Sequence, residues 1–160
     1  MWEKNPQVQL QLGGSAQVTT SGSATALGAT AKVTNSVSGT AIGASATVSG
    51  SRNGTAIGRG AKVENVDYAV ALGDQSLANV SAGVVGYDAS GTDHTNDAAG
   101  TWKSGLGAVS VGKTGNTRQI INVAAGTEDT DAVNVAQLKA AGTAGLNFKG
   151  DGDTIIHRDL

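Results

Sequence analysis

A glycine closes a four-residue phrase at Gly13, Gly28, Gly43, Gly58 and Gly73, so the same grammar returns every 15 residues. A strict period of that length means stacked, nearly identical units rather than one globular core. A second phrase keeps step with the first: Ala16-Gln17-Val18, Ala31-Lys32-Val33, Ala46-Thr47-Val48 and Ala61-Lys62-Val63, fading to Ser76-Leu77-Ala78. Each unit therefore holds two short alternating runs, parted by Gly, Ser and Asn clusters that suit turns. The units are rich in β-branched residues and glycine and lack apolar spacings of three or four, which excludes helix. The expectation is an all-β parallel solenoid with coils of about 15 residues and two strands per coil. In one run Ala31 and Val33 share a face opposite Lys32; in the other Thr40 and Ile42 share a face opposite Ala41. On this reading the Ile or Leu of each phrase fills the roll, while Ala26, Ala41, Ala56 and Ala71 allow copies to approach closely.

One such unit cannot fold alone, because ordering 15 backbones costs far more than burying one Val and one Ile returns. Stacking helps, yet aromatics are only 3% of the 160 residues and 24 are glycine, so the core stays thin. Packing against other copies would thicken it, and obligate oligomerisation is expected. The net charge of -2 gives no reason to expect nucleic acid or an anionic membrane as partner. The absence of Cys removes disulfides and thiolate chemistry. No run approaches the roughly 20 apolar residues that span a bilayer, and Met1 to Pro6 lacks the apolar core of a secretion signal.

The rhythm breaks after Gly73. Val84-Val85-Gly86 comes early, a stretch from Tyr87 to Gly107 has no period, and the phrase returns as Val109-Ser110-Val111-Gly112. An insertion at about 87–107 is expected. It carries Asp88, Asp93, His94 and Asp97; three of these could approach a cation, but an exposed polar loop is the plainer reading. Tyr87 and Trp102 are its candidate contact aromatics, or covers for the edge of the roll. No phosphate loop, nucleophile elbow or Ser, His and acid constellation is present, so no catalytic, metal or cofactor-binding residue is assigned. Asn53-Gly54-Thr55 and Asn79-Val80-Ser81 match the glycosylation acceptor pattern, one that this composition produces by chance.

From Thr114 the grammar changes. Arg118 to Val123 reads as a strand, Ala124-Ala125-Gly126 as a turn, and Asp131 or Thr130 as the N-cap of a helix carrying Ala132, Val135 and Leu138 as one apolar stripe. Gly142 and Gly145 are expected to end it.

The run "RQIINVAAGTEDTDAVNVAQLK", with the "TAIG" and "VALG" units before it, resembles the neck and head of the YadA-like trimeric autotransporter adhesins. The resemblance covers about residues 8 to 139. It implies a left-handed parallel β-roll in each chain, three rolls about a threefold axis, and a neck that clamps them and leads into a short α-helical coiled-coil start. The domains it suggests are a leader at 1–7, the head at 8–113, the neck at 114–139 and the start of a stalk domain at 140–160. Arg118, Ile120, Ile121, Val123, Asp131, Val135 and Leu138 become the trimer-neck residues, with an inter-chain bridge from Arg118 to Asp129 or Asp131 favoured.

The resemblance further implies a non-enzymatic homotrimer on the bacterial surface. Its full-length form is anchored in the outer membrane, and this chain is an excised passenger segment that is not itself embedded. Its partners would be extracellular matrix proteins, host cells or surfaces, held by many weak contacts. Collagen-binding units of the family carry Ser-Val where this chain mostly has Gly-Thr, which argues against collagen; Val70, Ala71, Leu72, Gly73 and Ser76 come nearest. Those residues, with Tyr87 and Trp102, form the candidate ligand surface. A pure spacer is the alternative function. A solenoid enzyme fits less well, because hexapeptide coils repeat in sixes and use a His between subunits.

Overall fold

A computed structural model describes residues 9–143, 146–149 and 155–158. The expected leader at 1–7 lies outside the described residues. The chain forms two compact units, one ending at Arg118 and one beginning at Gln119.

In the first unit, the TAIG-type phrases form β1 (Gln9–Leu12), β3 (Ala24–Leu27), β5 (Thr40–Ile42), β7 (Thr55–Ile57), β9 (Val70–Leu72) and β11 (Val109–Ser110). They pair in that order as a six-stranded parallel sheet. The other phrases form β2 (Gln17–Thr19), β4 (Lys32–Thr34), β6 (Thr47–Ser49), β8 (Lys62–Glu64) and β10 (Leu77–Ala78), a five-stranded parallel sheet. The pairing register equals the sequence period: Ala26, Ala41, Ala56 and Ala71 are successive partners, as are Val33, Val48 and Val63. This is the expected solenoid of two-stranded coils.

The orientation of one strand differs from expectation. Val33, Val48 and Val63 point inward as read, but in the other sheet Ala26, Ala41, Ala56 and Ala71 are fully buried. Ile57 and Leu72 are instead 38% and 47% exposed. The reason is volume. From β4 to β10 each strand buries one side chain, and a methyl added at Gly39 or Gly54 would already lie 2.7 or 2.9 Å from the Cγ1 of Val33 or Val48. Val against Ala fills the space; Val against Ile would overfill it.

The corners explain the invariant phrase ending. Gly43 has φ +126, and a Cβ there would sit 2.6 Å from both C and O of Gly58 in the next coil. Glycine is therefore demanded by conformation and by close approach together. At the opposite corner a serine ladder meets the backbone. Ser21, Ser36 and Ser51 each donate to the carbonyl two residues back and accept from the N–H of Ser36, Ser51 and Val66, 15 residues on. These buried hydroxyls satisfy N–H groups that would otherwise be unpaired.

The insertion is longer than expected. Val109 pairs with Val70, so β11 is the next coil, and Val84-Val85-Gly86 belongs to the excursion rather than to a coil. The excursion leaves at Val80 and returns at Ala108, whose N–H donates to Val80 O at 3.0 Å.

The segment Arg118 to Val123, expected to be a strand, joins no sheet. Helix α1 runs Val135–Thr143, so it starts later than expected and holds Gly142 inside it. Its N-cap is Asn134, not Asp131 or Thr130: Gln137 N–H donates to Asn134 Oδ1 at 3.0 Å, while Gln137 Oε1 accepts Asn134 N–H at 3.3 Å. Strands β12 (Leu146–Lys149) and β13 (Ile155–Arg158) form an antiparallel pair.

Candidate functional site

Three surfaces carry the chemistry. The first is the outer face of the six-stranded sheet, where alternation turns Thr25, Thr40, Thr55 and Val70 into one row and Leu27, Ile42, Ile57 and Leu72 into a parallel one. Exposed Leu10 and Leu12 extend the two rows. The outer face of the five-stranded sheet is polar, with Lys32, Thr47 and Lys62 in one row and Thr34, Ser49 and Glu64 in the other. One outer face is thus polar from β4 to β8, while the other sets a threonine row beside an apolar one.

The second surface closes the last coil. At each coil one corner N–H donates to the preceding coil at 2.8 Å: Thr30 to Gly14 O, Ser45 to Ala29 O, Gly60 to Ala44 O and Gln75 to Arg59 O. The next acceptor in that series is Asp74 O, and it receives Arg118 Nη2 at 2.6 Å. Arg118 Nη1 also donates to Val111 O at 2.6 Å and to Ser76 Oγ at 3.2 Å. A Cβ on Gly58 would strike the Gly73 carbonyl carbon at 2.5 Å; on Gly73 it would meet Arg118 Cζ at 3.2 Å. The planar guanidinium lies where the following coil would place a peptide, and it supplies that coil's hydrogen bond. Beside it opens a cavity of about 540 Å³ lined by Leu77, Val80, Val109, Val111 and Arg118.

The third surface is the insertion. His94 is buried, with Nδ1 2.7 Å from Asp97 Oδ2 and Nε2 3.0 Å from Asp88 Oδ2. Its ring stacks on Trp102 with centroids 4.4 Å apart and an interplanar angle of 11°. Ser90 donates to Asp88 through N–H at 2.8 Å and through Oγ, and these bonds lead the effects that lower the Asp88 carboxyl from 3.8 to about 2. The bond to Asp88, then that to Asp97, raises the His94 pKa. Tyr87 stands 89% exposed, while Trp102 is 37% exposed because His94 covers one of its faces.

The expected site residues divide on this geometry. Val70, Leu72 and Gly73 reach the surface, but Ala71 and Ser76 have no exposed area and serve the core instead. Asp131 Oδ2 accepts the N–H groups of Thr127 and Glu128 at 2.9 and 3.1 Å, organising the turn before the helix and lowering its own pKa. Ile120, Ile121, Val135 and Leu138 are exposed and Val123 is half-buried, and all but Leu138 line one apolar groove with Val133. Asn134 and Gln137 went unmarked in the sequence, although their spacing is that of a capping pair. Asn134 Nδ2 holds Val123 O at 3.1 Å, and Gln137 bonds both N–H and C=O of Gly126. The serine ladder was also missed, although Ser21, Ser36 and Ser51 recur at the period.

Comparison with known proteins gives the chain its relatives. A family model for the coiled stalk of trimeric autotransporter adhesin matches residues 119–154. The chain is 54% identical over 96 residues to the autotransporter adhesin BadA of Bartonella henselae, covering 54% of this chain and 3% of that protein. It is 51% identical over 70 residues to the trimeric autotransporter adhesin AtaA of Acinetobacter sp. strain Tol 5, covering 42% of this chain and 2% of that protein. Among solved structures it is similar to the collagen-binding domain of the Yersinia adhesin YadA, at 25% identity and TM-score 0.41, over 84% of this chain and 97% of that one. It is also similar to the C-terminal YadA-like domain of BPSL2063 from Burkholderia pseudomallei, at 23% identity and TM-score 0.44, over 84% of this chain and 50% of that one. The chain is related to the trimeric autotransporter adhesins, a non-enzymatic class, and spans only a few per cent of the length of the curated relatives it matches.

Proposed function

We propose that this chain is a head and neck module of a homotrimeric adhesin displayed on the bacterial surface, where it attaches the cell to matrix proteins, host cells or other surfaces. The observation that carries the reading is the outward row Leu27, Ile42, Ile57 and Leu72, an apolar stripe that a single chain leaves half-buried to exposed while the roll's core holds only Ala and Val. Three rolls meeting on that stripe bury it and leave the polar sheets facing outward. The exposed Ile120, Ile121, Val133, Val135 and Leu138 give the neck the same need for partners. Residues 8–113 then act as the head, 114–139 as the neck and 140–160 as the beginning of a stalk, in a longer protein anchored in the outer membrane. Threefold repetition of the outward sheet and of Tyr87 and Trp102 supplies avidity without a deep pocket.

The test is binding of the purified trimer to a panel of matrix proteins, cells and abiotic surfaces. Capture by one class, weakened when Tyr87 and Trp102 are both replaced by Ala, supports adhesion by the head. If the trimer binds nothing while the full-length fibre adheres, the module is a spacer.

A further inference from the structure

The insertion holds an arrangement that solenoid stacking does not require. Asp88 Oδ2 and Asp97 Oδ2 sit on opposite nitrogens of one imidazole, at 3.0 and 2.7 Å. Both acceptors are carboxylates, so both nitrogens must donate, and only imidazolium carries two N–H groups. A neutral ring would set a nitrogen lone pair against one of the carboxylates. The cation lies flat against Trp102, a placement that an indole face favours. Ser90 clamps Asp88 from the other side, and Thr92 bonds Ser90 in turn at 2.8 Å. Asp93, on the same turn, adds a third negative charge near the ring, and its own pKa is lowered chiefly by Thr95. The cation of Lys103 is engaged by Thr95 O at 2.9 Å rather than by these carboxylates. Gly86 N–H donates to Trp102 O at 2.7 Å, so whatever fixes Trp102 also steadies the segment that presents Tyr87.

We propose that the excursion between Val80 and Ala108 is a proton-held clasp, in which doubly protonated His94, gripped by Asp88 and Asp97 and stacked on Trp102, locks the insertion and releases it on losing one proton. The direction follows from linkage. A His held in its charged form contributes order that is complete below its ordinary value of 6.5 and is lost as pH rises through its own higher value. The aromatic surface is thus held while His94 keeps both protons and loosens as pH rises through the raised value. The clasp does not depend on the adhesive reading, and its test needs no ligand.

The experiment follows His94 and Trp102 together in the whole chain. Trp2→Phe leaves Trp102 as the sole indole and His157→Gln leaves His94 as the sole imidazole. NMR of the ring then gives the His94 titration while fluorescence gives the indole. The expected result is a His94 midpoint above 6.5 with Trp102 emission changing along the same curve. His94→Gln abolishes the change, and Asp97→Asn moves the midpoint down. A midpoint at or below the ordinary value overturns the proposal, as does Trp102 emission that stays flat while His94 titrates. The titration of the otherwise unaltered insertion decides the matter even where His94→Gln loses its fold, and circular dichroism of the solenoid reports that loss.

Discussion

The coils from Gln9 to Ala78 and the excursion that follows them are held together in opposite ways. In the coils the strand pairing between successive turns joins copies of the same position 15 residues apart: alanine beside alanine, valine beside valine, serine hydroxyl to the next serine N–H. Between Val80 and Ala108 nothing repeats, and order comes from a few unlike groups, a cation between two carboxylates and a ring on a ring. Arg118 belongs to both systems, because a unique side chain there completes a series of repeated backbone bonds. A repeated structure tolerates drift at its surface but not at the position where backbones touch, whereas a unique cluster fails when any one member is lost.

The sharpest break in this comparison is Gly43→Ala. The new methyl would stand 2.6 Å from the Gly58 carbonyl while φ stays at +126, and a destabilisation of about 3 kcal/mol or more is expected by chemical denaturation. Arg118→Ala should cost about 1–3 kcal/mol, since Asp74 O and Val111 O lose a charged donor. Hydrogen exchange would show that loss confined to the last coil, and uniform loss across all coils would contradict the capping role. Arg118→Lys should recover only part, because an ammonium cannot span the two carbonyls as a planar fork does.

The smallest effect separates the regions by pH. The solenoid core of Ala and Val has no titratable side chain, so its exchange rates, corrected for intrinsic chemistry, should be flat between pH 5 and pH 9. In the insertion the Asp88 contribution is present above its unfolded value of 3.8 and is lost as pH falls toward about 2. The His94 contribution is lost in the other direction, as pH rises through its raised value. Protection there should therefore pass through a maximum, and protection that only climbs with pH would remove the imidazolium from the account.

The period made the solenoid legible, down to the pairing register and the inward Val33, Val48 and Val63. Facing failed at Ile42 and Ile57 because hydrophobicity alone sends the larger residue inside, while the coil leaves room only for Ala41 and Ala56. Alternation defines two faces of a strand but does not say which is the core. The insertion's start was misread because Val84-Val85-Gly86 imitates the phrase, and only hydrogen bonding shows that it joins no coil. The helix cap was misplaced because Asp131 is a good capping residue by type, yet its carboxylate is taken by the turn at Thr127 and Glu128. The role of Arg118 in closing the last coil was not legible, because a sequence shows its charge but not that its fork fits two carbonyls.

The central claim is that small residues fill the roll while its large apolar residues are covered by other copies. The direct measurement is molar mass in solution by light scattering, for the chain itself and for a variant carrying Ile42→Glu, Ile57→Glu and Leu72→Glu. The account predicts a trimer for the unaltered chain and loss of that trimer in the variant. A folded monomer of the unaltered chain, or a variant that remains trimeric, would contradict it.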